Sequence, residues 1–541
     1  MIVTADRREA DLNRLVRRVD WRFLLPNPRP ARSICFADGL LAQAVDAISD
    51  GMIDPLTHPI GACDLAVAVN PARETLQAAW TALRPGGACY MEWHSPLAGG
   101  PASVRRRLEA VGFTNVTCYW TWPWPDRGPT LFWLPMEAPN VVRYYLANRA
   151  HSQSLTSRAW NRILEIIWSM SLKLQFLAPM CVTAHKPCNG DHTASIRVDT
   201  GVDLLEMIRD TWSTWSSDPS PQHLSWSLLT RGARSINKVV GMVFAESDRS
   251  PRLIVKLSRA AESAAALDHE AANLRAVQTS LSDRVRGVPQ VLFLQKWAGQ
   301  KVLGETALAG RPLYSLLRRD NCRDLALKVT DWLAALADHA TPCPRSSWWD
   351  RLIETTVDEF EQNFGPVLES EKLRQTRAIL ATLGDLPLVC EQRDCSPWNV
   401  LIADNGELVI LDWESAEPHG LPALDLLYFL TYLIFFLDGA MKSGRFKESY
   451  CAALLPTTFT GRLQRECLQS YVAQTGIEST ALTPLRLLVW LIHSRSEYQR
   501  LVAASAVRPD PTALRRSLFV SLWEEELAHA ITPSHIHLGM R

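Results

Sequence analysis

EQRDCSPWNVL (391–401) and LVILDWE (408–414) decide how this chain is read. Asp394 and Asn399 stand on a polar loop that runs into the apolar strand Val400-Leu401-Ile402. NGEL (405–408) is a hairpin turn, so the second apolar run carries Asp412 back beside Asn399. Two carboxylates and a carboxamide then converge at one place. Phosphoryl transfer from a magnesium nucleotide requires such a set. One carboxylate orients the attacking hydroxyl and accepts its proton, while the amide oxygen and the other carboxylate hold hard cations against the phosphates.

These residues resemble the aminoglycoside phosphotransferase and choline kinase-like family, relatives of protein kinases. The family's catalytic loop, H-G-D-x-x-x-x-N, is matched by Gln392-Arg393-Asp394 and Asn399, and its metal motif by Asp412-Trp413-Glu414. A Gly-x-Pro-x-x-Asp-Leu stretch follows as Gly420 to Leu426. The resemblance implies that Asp394 is the catalytic base and that Asn399 and Asp412 are metal ligands, with ATP and Mg²⁺ as cofactors. Asp425, ahead of an apolar helix, reads as a helix cap. Two positions depart from the pattern. Gln392 stands for the usual His and can still donate and accept hydrogen bonds. Arg393 replaces a small residue; a guanidinium beside Asp394 is expected to lower its pKa or to touch a phosphate.

Upstream features fall in the matching order. Val239 to Glu246 and Arg252 to Ser258 read as two strands around the turn SDRSP, and Lys256 lies inside the second. The following helix (260–278) carries Glu270. A strand lysine paired with a helix glutamate is the kinase device for gripping the α- and β-phosphates. TRGARSINKVVG (230–241) falls where a phosphate-covering loop belongs, and Ser235 is its candidate phosphate contact. GETALAGRPL (304–313) resembles the family's hinge, implying that backbone groups from Glu305 to Ala307 bond adenine. The resemblance covers roughly residues 225 to 530.

The first part of the chain has another texture. SICFAD, CDLAVAVN and ACYMEWHS read as strands alternating with helices, and NVTCYWTW and PTLFWLP as two final antiparallel strands. LRPGG before a strand and LEAVGF after a helix resemble the C-terminal half of class I S-adenosylmethionine-dependent methyltransferases. The cofactor-binding half of that pattern is missing. Its turn, Phe36-Ala37-Asp38-Gly39-Leu40, has one glycine, and residues 39–62 are too few for a full βαβ unit. Asp38 and Glu92 are read either as lining a pocket there or equally as turn or surface carboxylates. The expected fold is therefore a doubly wound, truncated Rossmann-like α/β domain (1–185), a linker (186–215) opening with KPCNGDHTASIRVDT, and an α+β bilobal protein-kinase-like domain. The latter divides into an N-lobe (216–310) and a helical C-lobe (311–541).

Composition narrows the function classes. Lys plus Arg and Asp plus Glu both total 57 in 541 residues, so the net charge is zero. That balance argues against a nucleic-acid binder or a polybasic membrane surface. Leu426 to Leu437 is too short to span a bilayer and reads as a buried helix, and Ile163 to Ala184 is interrupted by Glu165 and Lys173. The 12 cysteines include no C-x-x-C pair, which fits reduced thiols in a cytoplasmic protein. From Glu414 onward the acidic and basic residues balance, so no surplus of carboxylates marks a polycationic acceptor. Trp413, Trp490 and Trp523 are assigned to core packing. The expected activity is ATP-dependent phosphorylation of a hydroxyl on a small molecule. The competing readings are a nucleotide-binding pseudokinase scaffold and a methyltransferase with an accessory kinase-like domain. Oligomeric state is not legible.

Overall fold

Alternating apolar runs in the first 306 residues assemble into one 12-stranded sheet. A computed structural model describes residues 15–94, 99–125, 127–149, 180–188, 202–230, 237–246, 248–260, 264–280, 285–337, 340–505 and 509–532. The chain divides into two compact units: Met1–Asp268 with Val291–Ala307, and His269–Gln290 with Leu308–Arg541.

The first unit holds the whole sheet. Its strands are β1 (Arg32–Cys35), β2 (Gly51–Ile53), β3 (Cys63–Val69), β4 (Leu83–Trp93), β5 (Thr114–Trp122), β6 (Phe132–Pro135), β7 (Met180–His185), β8 (Leu224–Leu229), β9 (Val239–Ala245), β10 (Leu253–Leu257), β11 (Val291–Trp297) and β12 (Gln300–Thr306). Their order is β11-β12-β10-β9-β8-β6-β5-β7-β4-β3-β1-β2. The β2-β1-β3-β4 portion is parallel, and helices Leu40–Ile48 and Arg73–Ala82 connect it. This is the expected α/β pattern, with two strands the sequence did not disclose. Residues 39–62 contain a helix and the three-residue β2, so the βα segment read as missing is present in abbreviated form. The end of the second apolar run forms β7, which inserts antiparallel between β4 and β5; residues 163–179 of that run lie outside the described residues.

The two sheets expected in separate domains are continuous. β6 pairs antiparallel with β8, Phe132 opposite Leu229 and Trp133 opposite Leu228. One core under the sheet runs from Trp21 and Tyr90 through Trp133 and Trp226 to Val255 and Val302. Part of the stretch read as a linker joins it. Asp203 caps the helix Leu204–Asp210 by accepting the Leu205 N–H, and Leu204, Ile208 and Trp212 are buried. Residues 189–201 lie outside the described residues.

The second unit is mainly helical. Leu424–Leu437 is a helix whose first twelve residues are all buried, as its apolar sequence requires. Among the described residues, no helix is long and apolar enough to cross a membrane. Trp413, Trp490 and Trp523 are fully buried and pack the core.

Candidate active site

A hairpin builds the site in the second unit. Strands Val400–Ile402 and Leu408–Ile410 pair antiparallel, Val400 opposite Ile410. The turn closes with Gly406 in the left-handed region (φ 84°), its N–H donating to Ala403 O at 2.8 Å. Leu411 N–H then donates to Asn399 O at 2.9 Å, which places Asp412 beside Asn399. Asn399 Nδ2 donates to Asp394 Oδ2 (2.9 Å) and to Asp394 O (3.0 Å), which turns its amide oxygen away from Asp394. The three residues singled out in the second unit are therefore brought together.

The loop that carries Asp394 is held by side chains placed around it. Gln392 is wholly buried; its Oε1 accepts the Asp394 N–H at 2.8 Å, while its Nε2 donates to the carbonyls of Leu411 (2.8 Å) and Asp412 (2.6 Å). An amide can do both jobs at once, so the departure from histidine leaves the two loops tied. Asp425 is not a helix cap: the cap position is Ala423. Its carboxylate instead accepts the N–H groups of Gln392 (2.6 Å) and Arg393 (2.8 Å). Asn273, on the helix Ala264–Ser280, donates to the carbonyls of Trp413 (3.4 Å) and Glu414 (3.2 Å) and steadies the other side.

Arg393 does not do what adjacency implied. Its backbone is left-handed (φ 66°), which explains why a small residue suits this position. The side chain turns to Glu391 (3.1 Å) and Glu417 (3.9 Å). Asp394 accordingly goes the other way from expectation. Burial, and then the charge of Asp412, push its pKa up to about 7, against hydrogen bonds from Asn399 and Tyr428 and the charge of Arg500. Asp412 is itself left-handed (φ 62°). A non-glycine residue in that region costs on the order of 1–3 kcal/mol and persists where its surroundings enforce it.

In the first unit, Lys256 and Glu305 come together. Lys256 Nζ lies 2.9 Å from Glu305 Oε1 across the β10–β12 pair, both side chains largely buried. Glu305 thus has a part the hinge reading did not give it. Its main chain sits within the sheet, opposite Ile254 on one side and Val291 on the other, and its carboxylate holds the lysine. Ala307 N–H donates to Arg252 O at 3.5 Å as the ladder ends. Glu270 is wholly buried on its helix, in the portion assigned to the second unit. Ser235 lies outside the described residues.

Glu92, read as either a pocket or a surface carboxylate, is closed off from both. It is fully buried and held by both terminal nitrogens of Arg18 (2.6 and 2.8 Å), by His94 Nε2 (2.9 Å) and by the Tyr90 hydroxyl (3.0 Å). Trp21 stacks on Tyr90 with ring centroids 3.8 Å apart. Asp38 stands at the turn after β1.

Sequence reading missed Tyr428 and Arg500. The signal for the first was available: Tyr428 and Tyr432 are two hydroxyl-bearing rings four residues apart in an otherwise apolar helix.

Residues 241–462 match the model of the phosphotransferase enzyme family. Similar solved structures include a thermostable mutant of aminoglycoside phosphotransferase APH(4)-Ia in apo form (14% identity, 58% of this chain and 97% of that one, TM-score 0.36). Another is aminoglycoside phosphotransferase APH(3'')-Id from Streptomyces rimosus (14% identity, 53% and 99%, TM-score 0.31). A third is spectinomycin phosphotransferase APH(9)-Ia in complex with ADP and spectinomycin (12% identity, 60% and 97%, TM-score 0.32). No curated protein matches the chain.

Proposed function

We propose that the chain phosphorylates a hydroxyl group of a small molecule at the expense of ATP, assisted by Mg²⁺. The observation that carries this reading is the convergence of Asp394, Asn399 and Asp412, with Asp394 raised to about 7. A carboxylate poised there accepts a proton near neutral pH better than an ordinary aspartate. Asp394 would take the hydroxyl proton as the acceptor oxygen bonds to the terminal phosphorus and ADP leaves. Asn399, through its amide oxygen, and Asp412 would hold Mg²⁺. The donor set fits a hard cation: the Asp412 carboxylate, whose charge raises the proton affinity of Asp394, and the neutral amide oxygen of Asn399. Bound there, the ion supplies charge neutralisation of the phosphates.

Lys256, fixed by Glu305, is assigned to the nucleotide phosphates, and Glu270 is assigned to the nucleotide side of the same proposal. Ser235 and the backbone near Ala307 complete the nucleotide assignment. The 12 free cysteines, most of them buried, favour a reducing cytoplasm. The test is ADP release from Mg·ATP against a panel of sugars, amino alcohols and aminoglycosides. Acceptor-dependent release lost in Asp394→Asn supports the reading. Absence of Mg·ATP binding by the wild type refutes it.

A further inference from the structure

A short stretch near residue 20 takes hold of the strand that carries Lys256. Asp20–Leu24 forms one turn of 3₁₀ helix, and all five of its residues are buried. Trp21, Phe23 and Leu24 enter the core under the sheet, which anchors the turn. Lys256 stands one residue before the end of β10, and both ladders of that strand stop at Leu257. Just past this point the turn at Asp20 grips the chain. Arg259 Nε donates to Asp20 Oδ1 at 3.0 Å, across 239 positions of sequence, and both side chains are fully buried. Arg22 donates to Arg259 O at 2.5 Å and to Val19 O at 3.2 Å, so it ties the exit of β10 to the turn itself.

Neighbouring residues extend the grip. Arg17 donates to Thr230 O at 3.4 Å, where β8 ends. Arg18 and Trp21 engage Glu92 and Tyr90 near the end of β4. The segment thus straps three strands of the first unit near their ends. A buried ion pair gives little stability beyond what apolar residues of the same size provide, because both ions lose their water. What it enforces is geometry, since a guanidinium and a carboxylate pair only within a narrow set of distances and angles. Arg259, so fixed, limits where the backbone three residues earlier can sit.

We propose that Asp20 is a positioning residue for nucleotide binding, acting through Arg259 to hold β10 and so the Lys256 ammonium where the phosphates bind. The proposal rests on the phosphotransfer reading above and adds to it a residue that touches neither nucleotide nor acceptor.

A double-mutant cycle on the full chain tests it. AMP-PNP with Mg²⁺ is titrated by calorimetry into wild type, Asp20→Asn, Lys256→Ala and the double variant, each first checked for folding by circular dichroism. Asp20→Asn keeps an oxygen for Arg259 but removes the charge. It should weaken AMP-PNP binding by about tenfold. In the Lys256→Ala background the same substitution should change affinity by less than about twofold, because the group it positions is gone. A purely structural role gives equal losses in both backgrounds; that result overturns the proposal, as does unchanged affinity in Asp20→Asn. If Asp20→Asn does not fold, Asp20→Leu combined with Arg259→Met removes both charges at similar volume, and the same cycle decides. Amide hydrogen exchange without nucleotide gives a second readout. Peptides covering 253–260 should exchange faster in the variant, while those covering β1 and β3 keep their wild-type rates. Unchanged protection at β10 also overturns the proposal. A wild type that binds no AMP-PNP sinks the phosphotransfer reading instead, because the hold on β10 is still read by exchange.

Discussion

Gln392 donates its side-chain amide to the carbonyl of Asp412 at 2.6 Å, across twenty residues of sequence. The same side chain accepts the Asp394 N–H. A single buried amide therefore fixes the spacing of the candidate base and the candidate metal ligand. Gln392→Ala leaves these groups without their partner in a dry site, which costs about 2–4 kcal/mol. Chemical denaturation should show that loss, and ADP release should fall with it. Gln392→His should retain more of both than the alanine variant, and equal loss in the two would count against the bridging role.

Asp394→Asn should separate stability from activity. In the wild type the folded chain keeps the Asp394 proton to about pH 7, whereas an unfolded aspartate loses it near 4. The folded state binds more protons in that window, so this group's contribution to stability falls as pH rises through it. The asparagine variant avoids the loss. It should match the wild type below about pH 4 and exceed it by on the order of 4 kcal/mol at pH 8. Turnover should drop by at least ~10²-fold with nucleotide affinity nearly intact. Thermal unfolding across pH and single-turnover assays read the two effects.

Lys256→Ala and Asp412→Ala should both weaken nucleotide binding, in distinguishable ways. The lysine variant loses a phosphate contact whether or not Mg²⁺ is present. The aspartate variant should lose the Mg²⁺-dependent increment only. Calorimetry with and without the metal measures both. Identical increments in wild type and Asp412→Ala would falsify the metal assignment.

Gly287 bears on the hairpin from behind. Its φ is +81°, a Cβ there would run into the Leu408 carbonyl, and its own carbonyl accepts the Ile410 N–H at 2.9 Å. Gly287→Ala should therefore destabilise by more than about 2 kcal/mol and lower turnover by disturbing the approach to Asp412. A variant with unchanged denaturation midpoint would show that the hairpin can move aside.

S-adenosylmethionine should not bind the full chain measurably, because Arg18 already occupies Glu92 and Trp21 covers Tyr90. Arg18→Ala removes the main partner of a buried carboxylate and should cost about 3–5 kcal/mol. Calorimetry with the cofactor and denaturation of the variant test these statements separately.

The hairpin and its three polar residues were legible because their geometry is local: a turn signal between two short apolar runs fixes who faces whom. Asp425 was visible as a residue but not in its job, since its partners lie about thirty positions upstream and no sequence spacing encodes that pairing. Arg393 misled for the same reason. Proximity in sequence to Asp394 was taken as proximity of charge, whereas a left-handed backbone directs the guanidinium to Glu391. In the first unit the alternating strands and helices read clearly, but β2 has three residues and no pattern of its own. The β6–β8 pairing escaped because about ninety residues separate the two strands, and strand patterns do not name their neighbours.

That pairing limits how the protein can be taken apart. A fragment starting near residue 216 would keep β8 through β12 and discard β6, leaving the Leu228–Leu229 side of β8 as a raw border of unpaired N–H and C=O groups. Such borders recruit other chains and precipitate them. The portion that matches the phosphotransferase model is thus no portable cassette. Any exchange, by recombination or at the bench, must carry its neighbour along or supply a replacement strand to seal the seam.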